Sequence, residues 1–426
     1  MMRYLNKLFR IAALAALSPF LHLAASSQTA VSLSVEDMRS DLSTLRSIIE
    51  QSHPNLYRSS DKSSVERRWL SAQKALKKPM STIEFLNFVS PLINQYNDAH
   101  TSMDLPFEDE AFKSYIKNDG RFFPFQVMID GDRLYITGSL GNTTLAPGTE
   151  IIAIGKRSAK QVLSELRPIV MGDSPAGRDS ALQRLFALYV WQMYDNAKDF
   201  ELKIRLPRNS AANVTKATVA GIDYDLLSKV MFGDEPVRSY ELTPDVLVLE
   251  INKMQSNDNV KKAIDDAFAK LKEKNYPYLV IDLRKNGGGN SVVGEWALNY
   301  LTRRTFNQGG TKEVRISQYL LDNNKFYSGW IPKLKERFPV EGDRLVMKYE
   351  GDSDQLDTDK WVYAGKTIML TSPRTYSSGF MMAEAFSCYK VGRIVGEAPG
   401  SYRNLTGELM QFSLPNSKLI GYVAAA

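Results

Sequence analysis

Apolar and polar positions alternate with two different periods along this chain, and the change of period marks its most informative stretch. Residues 366–372, Lys-Thr-Ile-Met-Leu-Thr-Ser, are apolar and rich in β-branched residues, and Pro373 halts them, which predicts a short buried strand. From Gly379 the period lengthens: Met382, Ala385, Phe386 and Tyr389 fall at i, i+3, i+4 and i+7, one face of a helix. Val391–Val395 returns to strand character before Gly396-Glu397. Upstream, Val246–Ile251 reads as a strand, Asn259–Lys272 as an amphipathic helix, and Tyr278–Arg284 as a second buried strand. That strand runs into Lys285-Asn286-Gly287-Gly288-Gly289-Asn290 and a helix over Ser291–Leu301. Strands alternating with helices in this way predict α/β architecture with parallel strands. Between Thr302 and Lys366 the chain reads as loop-rich, with Gly309-Gly310 and residues 352–359 as its clearest breaks.

Residues 32–100 are helical in texture. Met38, Leu42, Leu45 and Ile49 keep helical spacing after Ser34, an N-cap residue, and His53-Pro54-Asn55-Leu56-Tyr57 breaks the pattern. A second helix covers Ser63–Leu76. A third runs from Ile83 to Tyr96, with Ser81 and Glu84 spaced as a capping box, and ends at Asn97-Asp98-Ala99-His100-Thr101. From Phe122 the texture is β-like, with a hairpin signal at Asp130-Gly131-Asp132. Leu145–Gly155 and a helix over Ala159–Leu166 resemble the centre of a PDZ-like module, without its Gly-Leu-Gly-Phe-type carboxylate loop. A helix over Arg178–Tyr194 and a strand over Phe200–Leu206 complete this part.

Composition adds the destination and removes some partners. At 426 residues the chain is long enough for two or three domains, and 43% hydrophobic with 24% charged residues is globular usage. The basic start, the apolar run Ile11–Ala25 and the small residues Ala24 to Ser27 predict a secretory signal peptide over residues 1–27, cut after Ala25 or Ser27. The expected location is periplasmic or extracellular, with no integral membrane span after cleavage, since the run is short and holds Pro19 and His22. Cleavage removes Arg3, Lys7 and Arg10 and so half of the formal charge of +6, too little remaining to argue for nucleic acid. Cys388 is the only cysteine and reads as a packing residue, so no internal disulfide forms. The expected division is a helical region over 28–105, a PDZ-like β module over 106–230, and an α/β core over 231–426.

Three features carry candidate chemistry. Ser377 and Ser378 stand where a strand turns into a helix, a place for an N-cap or for a nucleophile held clear of its backbone. Glycines after a strand, at Gly287-Gly288-Gly289, let backbone amides approach a substrate carbonyl. The same loop lacks the Gly-x-Gly-x-x-Gly spacing and distal acid of a dinucleotide site. His100 ends the helical region and has a basicity suited to proton transfer near neutral pH, whereas His53, before a proline, reads as a turn residue.

Together these stretches resemble a known family. Ile281-Asp282-Leu283-Arg284-Lys285-Asn286-Gly287-Gly288-Gly289 is similar to the Asp-Leu-Arg-x-Asn-x-Gly-Gly signature of the C-terminal processing (tail-specific) serine peptidases. Thr375-Tyr376-Ser377-Ser378-Gly379 with Ile394-Val395-Gly396-Glu397 resembles that family's nucleophile segment, and Asn97-Asp98-Ala99-His100-Thr101 its Asp-Gly-His-Thr motif. The resemblance implies a ClpP/crotonase-like core and peptide or protein substrates, with neither metal nor cofactor. It implies Ser377 as nucleophile, the N–H groups of Gly288 and Ser378 as oxyanion hole, and Asp282 and Arg284 as supports of the glycine loop. No lysine follows Gly396-Glu397 as far as Asn404, which points to the secreted bacterial Ser-His-Glu version with His100 as general base. That version's glutamate is expected beyond Leu414–Ser417, and the sequence stops at Ala426 before supplying it, so the core is expected to be incomplete at its C-terminus and the acid orienting His100 is unidentified. Glu397 and Asp98 read as structural. Two functions stay open: a serine endopeptidase, or a catalytically impaired relative that binds peptides or apolar ligands.

Overall fold

The computed structural model describes residues 32–143, 145–194, 198–207, 214–348 and 360–426. The expected signal peptide and the break at 352–359 lie outside the described residues. Five strands form the central sheet, in the order Val237–Thr243, Val246–Ile251, Tyr278–Asp282, Lys366–Thr371, Arg393–Gly396. The first pair is antiparallel and the other three pairs are parallel. Leu249, Ile281, Met369 and Ile394 lie in register across the four parallel strands. Parallel strands need long crossovers, and helices supply them: Asp258–Lys274, Val292–Leu298 and Ser378–Cys388 bury Ile264, Phe268, Ala297, Met382 and Phe386 against Leu249, Ile281 and Met369. Cys388 departs from expectation. It is exposed, because the buried face of its helix is set by Met382, Ala385 and Phe386 and leaves position 388 outside.

A second, antiparallel sheet runs Phe125–Asp130, Arg133–Ser139, Glu150–Ile154, Asp199–Arg205, Val214–Ala220. The helix expected over 178–194 is two, Pro175–Arg184 and Phe186–Met193, turning at Leu185 (φ −115°, ψ 21°). The turn lets Leu182 and the apolar run Phe186–Val190 enter one core from different directions; a straight helix would have left part of that run in water.

The N-terminal helices are Val35–Ser52, Lys62–Ala75 and Thr82–Asn94, the first and third closed by capping boxes at Ser34/Asp37 and Ser81/Glu84. Packing does not follow sequence order here. The stretch read as loop-rich holds strands Thr311–Arg315, Val340–Glu341 and Arg344–Lys348 and helices Gln318–Asn323 and Lys325–Lys335. Gly329 and Pro332 inside the second helix hid it from a reading by propensity. Val314, Tyr327, Ile331 and Leu345 join Leu42, Leu45, Phe85 and Val89 in one core, as do Phe412 and Val423 near the C-terminus. The hairpin Leu409–Ser413/Ile420–Ala424 pairs with Ser102–Met103, two residues beyond His100. Among the described residues no helix is long and apolar enough to cross a membrane.

The C-terminal hairpin is tied to the first helix through one buried carboxylate. Asp41 accepts from the N–H of Asn416 (2.9 Å), the N–H of Ser417 (2.7 Å) and Asn416 Nδ2 (2.9 Å). Asp41→Ala leaves the buried Ser417 N–H and the half-buried Asn416 N–H without their acceptor, so unfolding in denaturant should show a loss of about 2–3 kcal/mol.

Candidate active site

The sequence 371–377 folds into a turn that is stitched to the glycine loop atom by atom. Thr375 Oγ1 accepts from the N–H of Ser372 (3.0 Å) and donates to the Leu283 carbonyl (2.8 Å). Ser372 Oγ donates to the Arg284 carbonyl (2.6 Å), and the Tyr376 N–H to the Asn286 carbonyl (2.9 Å). The loop is braced from behind: Asn286 Nδ2 donates to the Ile251 carbonyl (2.8 Å), and Arg284 forks onto Asp282 at 2.6–3.0 Å.

Ser377 emerges from this turn at φ 51°, ψ −125°, a region that costs a non-glycine residue about 1–3 kcal/mol. It occupies the N-cap position of Ser378–Cys388, yet its side chain makes no capping bond. Of the two readings the sequence left open, the plain cap is thus set aside. Its Oγ lies 3.1 Å from His100 Nε2, and its N–H donates to Ser401 Oγ at 3.2 Å. Gly288, at φ +100°, presses on it from the other side: a Cβ there would stand 2.6 Å from Ser377 Cβ and 3.0 Å from the Tyr376 carbonyl oxygen. Only glycine allows that approach. The Gly288 N–H donates to Asn286 Oδ1 (2.8 Å), and Ser378 Oγ donates to the Gly289 carbonyl (2.7 Å). Ser378 opens the helix, so its own N–H has no intrahelical acceptor.

His100 is held by the turn after the third helix. Asn97 takes φ 52°, which asparagine tolerates, and Asp98 gathers the chain around itself. Asp98 Oδ1 accepts from the His100 N–H (2.9 Å) and Thr406 Oγ1 (2.6 Å); Oδ2 accepts from Thr101 Oγ1 (3.0 Å) and His53 Nε2 (2.6 Å). The Asn55 N–H donates to His53 Nδ1 (3.0 Å), so the proton of His53 sits on Nε2 and is spent on Asp98. His53 is structural; His100 faces the serine. Burial alone would push the Asp98 carboxyl up, but the bond and charge of His53, with His100 and Thr406, hold it well below the usual carboxylate range. Burial pushes His100 below its ordinary 6.5, opposed by the charges of Asp98 and Asp173.

Two site residues were not picked out from the sequence. Tyr376 Oη lies 3.0 Å from His100 Nδ1 and donates to Asp173 Oδ1 at 2.8 Å, and the same oxygen accepts from the Ala99 N–H at 2.8 Å. The rings of Tyr376 and His100 stack with centroids 5.0 Å apart. Tyr376 lies inside the segment that resembles the nucleophile motif, which assigns it no role, and nothing local marks Asp173, which precedes the N-cap serine of Pro175–Arg184. Glu397 is exposed, tied by its backbone to Thr371. Among the described residues no group of three or more His, Cys, Asp or Glu side chains could hold a metal ion.

A serine set at a strained strand-to-helix turn, a histidine at hydrogen-bond distance and a glycine loop against the serine are the parts of a serine peptidase. Residues 245–425 match the model of peptidase family S41. No curated protein sequence matches the chain. Among solved structures it is similar to a serine-to-alanine mutant of CPAF, with TM-score 0.64 and 15% identity over 92% of this chain and 89% of that one. It is also similar to mature CPAF complexed with lactacystin, with TM-score 0.61 and 15% identity over 92% and 90%. These likenesses show a shared fold. The photosystem II D1 C-terminal processing protease is similar at TM-score 0.44 and 14% identity, over 91% of this chain and 87% of that one.

Asp98 should govern acid stability. Its folded pKa lies below the unfolded one, so its contribution is complete above about pH 4 and is lost as pH falls through the folded value. Asp98→Ala is expected to cost about 3–5 kcal/mol at pH 7, read by denaturant unfolding, because it strands His53 without its partner.

Proposed function

We propose that this chain is an exported serine endopeptidase that hydrolyses peptide bonds through an acyl-enzyme on Ser377. The observation that carries the reading is the 3.1 Å contact between His100 Nε2 and Ser377 Oγ. His100 takes the Oγ proton as Ser377 attacks the carbonyl carbon, and returns it to the leaving amine. Water then repeats the cycle, with His100 taking its proton and the Ser377 oxygen leaving the acyl carbon. The oxyanion forms beside the N–H of Ser378, at the positive end of the helix Ser378–Cys388, and of Gly288. The Gly288 N–H, spent on Asn286 Oδ1 in the free chain, is shared with or released to the substrate oxygen. In this reading the antiparallel sheet is the PDZ-like module beside a ClpP/crotonase-like core, and residues 1–27 direct export.

That committed Gly288 amide is also the observation favouring a second reading, a relative that binds peptides without cleaving them. Labelling by a fluorophosphonate probe separates the two. The native chain should label at a rate at least about 10³-fold above Ser377→Ala and His100→Ala; a folded native chain that stays unlabelled supports the binding reading. Hydrolysis of an unfolded protein substrate should follow the neutral form of His100. Its pKa is lowered, so kcat/KM should rise with pH through a midpoint below 6.5 and be level at neutral pH. N-terminal sequencing of the exported chain should begin at Ser26 or Gln28.

A further inference from the structure

A histidine serves as general base only when the proton it already carries sits on the nitrogen facing away from the nucleophile. His100 turns Nε2 to Ser377, so Nδ1 must hold the proton and needs an acceptor. No carboxylate supplies one directly. Asp98 Oδ1 stands 3.9 Å from Nδ1 and already accepts from the His100 N–H and from Thr406. The atom in front of Nδ1 is the Tyr376 hydroxyl, at 3.0 Å, and behind it lies Asp173 Oδ1, at 2.8 Å.

We propose that Tyr376 and Asp173 are the positioning residues of His100, Asp173 fixing the direction of the Tyr376 hydroxyl and the hydroxyl fixing the tautomer of the imidazole. This rests on the reading of Ser377 and His100 as nucleophile and base.

A phenol has one proton and accepts through its remaining lone pairs, whereas a carboxylate only accepts. With Asp173 ionised, the Tyr376 O–H must go to Asp173, and the oxygen it leaves toward His100 can only accept. An Nδ1–H is the one partner that fits, and Nε2 is left with a lone pair facing the Ser377 O–H. Reversing the phenol would set two lone-pair oxygens against each other at 2.8 Å. It would also move the imidazole proton to Nε2, where it would point at Ser377 and abolish the base. Burial and the charges of Asp173 and Asp98 keep Tyr376 protonated, so the phenol does not itself become an anion.

Two further observations fit this role better than a packing role. Asp173 Oδ1 is anchored by the N–H of Ala99, the neighbour of His100, so the backbone that carries the base also holds the acid in place. Asp173 Oδ2, in contrast, is buried without a hydrogen-bond partner. Burial raises the Asp173 pKa, the largest influence on it. The ionised group therefore opposes folding above that pKa, a cost borne at a position where its charge faces His100. During reaction the Ser377 proton moves to Nε2, the imidazolium keeps its Nδ1–H on Tyr376, and no proton passes to Asp173. The groups that bear on the His100 charge are Asp98, Asp173 and Glu408, which favour it, and Arg58, which opposes it, with Tyr376 stacked on the ring.

The test needs two kinds of readout. Nitrogen-15 histidine spectra of the native chain should show His100, assigned by its loss in His100→Ala, with the proton on Nδ1, and His53 with the opposite tautomer. A His100 proton on Nε2 overturns the proposal whether or not the chain is active. Tyr376→Phe, which keeps the stacked ring, should lower kcat by about 10²–10⁴-fold with little change in KM. Asp173→Asn should lower kcat and move the acid limb of kcat/KM to lower pH, since a charge favouring the imidazolium is gone, while leaving Tm at pH 7 unchanged or raised. Native kcat and an unmoved limb in both variants would overturn the relay, and so would a fall in Tm for Asp173→Asn that accounts for its loss of activity. If the native chain fails to label at Ser377 while His100 carries its proton on Nδ1, the peptidase reading fails and the relay geometry stands.

Discussion

The arrangement depends first on a single buried carboxylate. Asp98 binds His53 from the end of the first helix, Thr101 and the His100 backbone from the turn after the third, and Thr406 from the chain leading to the C-terminal hairpin. Four donors around one interior anion make it cheap to bury, and they make three distant stretches of sequence mutually dependent. His100 inherits its position from that cluster: its backbone is bonded to Asp98, while its ring is left free to face Ser377. Were Asp98 to bond the ring directly, the anchor and the orienting group would be one residue, and the chain has separated them.

A second dependency runs through the strained serine. The φ and ψ of Ser377 are paid for by bonds from Thr375, Tyr376 and Ser372 to the neighbouring strand-end turn, which also carries the glycines. Those bonds fix Ser377 against the glycine loop, so that in the proposed reaction little reorganisation would be left once substrate arrives. The close approach of Gly288 to Ser377 is the visible result of that preorganisation.

Much of this was legible in the sequence, and the divide is physical. The parallel core could be read because its strands are near-continuous apolar runs and its helices keep an apolar period, as in Leu249, Ile281 and Met369 against Ile264 and Phe268. Capping at Ser81 and Glu84 could be read because it is local. The segment 311–348 could not, since its short strands and proline-bearing helix acquire an apolar face only by docking onto the N-terminal helices, more than two hundred residues away in sequence. Ser377, His100 and the glycine loop were visible through their motifs. Tyr376 and Asp173 were not, because a tyrosine beside a serine and an aspartate before a helix are ordinary until the fold brings 173 and 376 within 2.8 Å.

The two buried aspartates show why such pairs are hard to recognise by type alone. Asp98 and Asp173 are both nearly inaccessible to water, yet their carboxyl groups are shifted in opposite directions. Asp98 has every oxygen satisfied and is held ionised, which is how a charge is buried for architecture. Asp173 has one oxygen shared by Ala99 and Tyr376 and the other unpaired. A carboxylate selected for stability alone would gain by adding a donor at Oδ2 or by becoming an amide. That state fits the proposed role, in which the charge acts on a neighbour, and the neighbour within reach, through one phenol, is the imidazole that faces Ser377. In the proposed relay the unpaired oxygen and the raised pKa of Asp173 set it apart from Asp98, whose oxygens are all bonded and whose charge holds the fold.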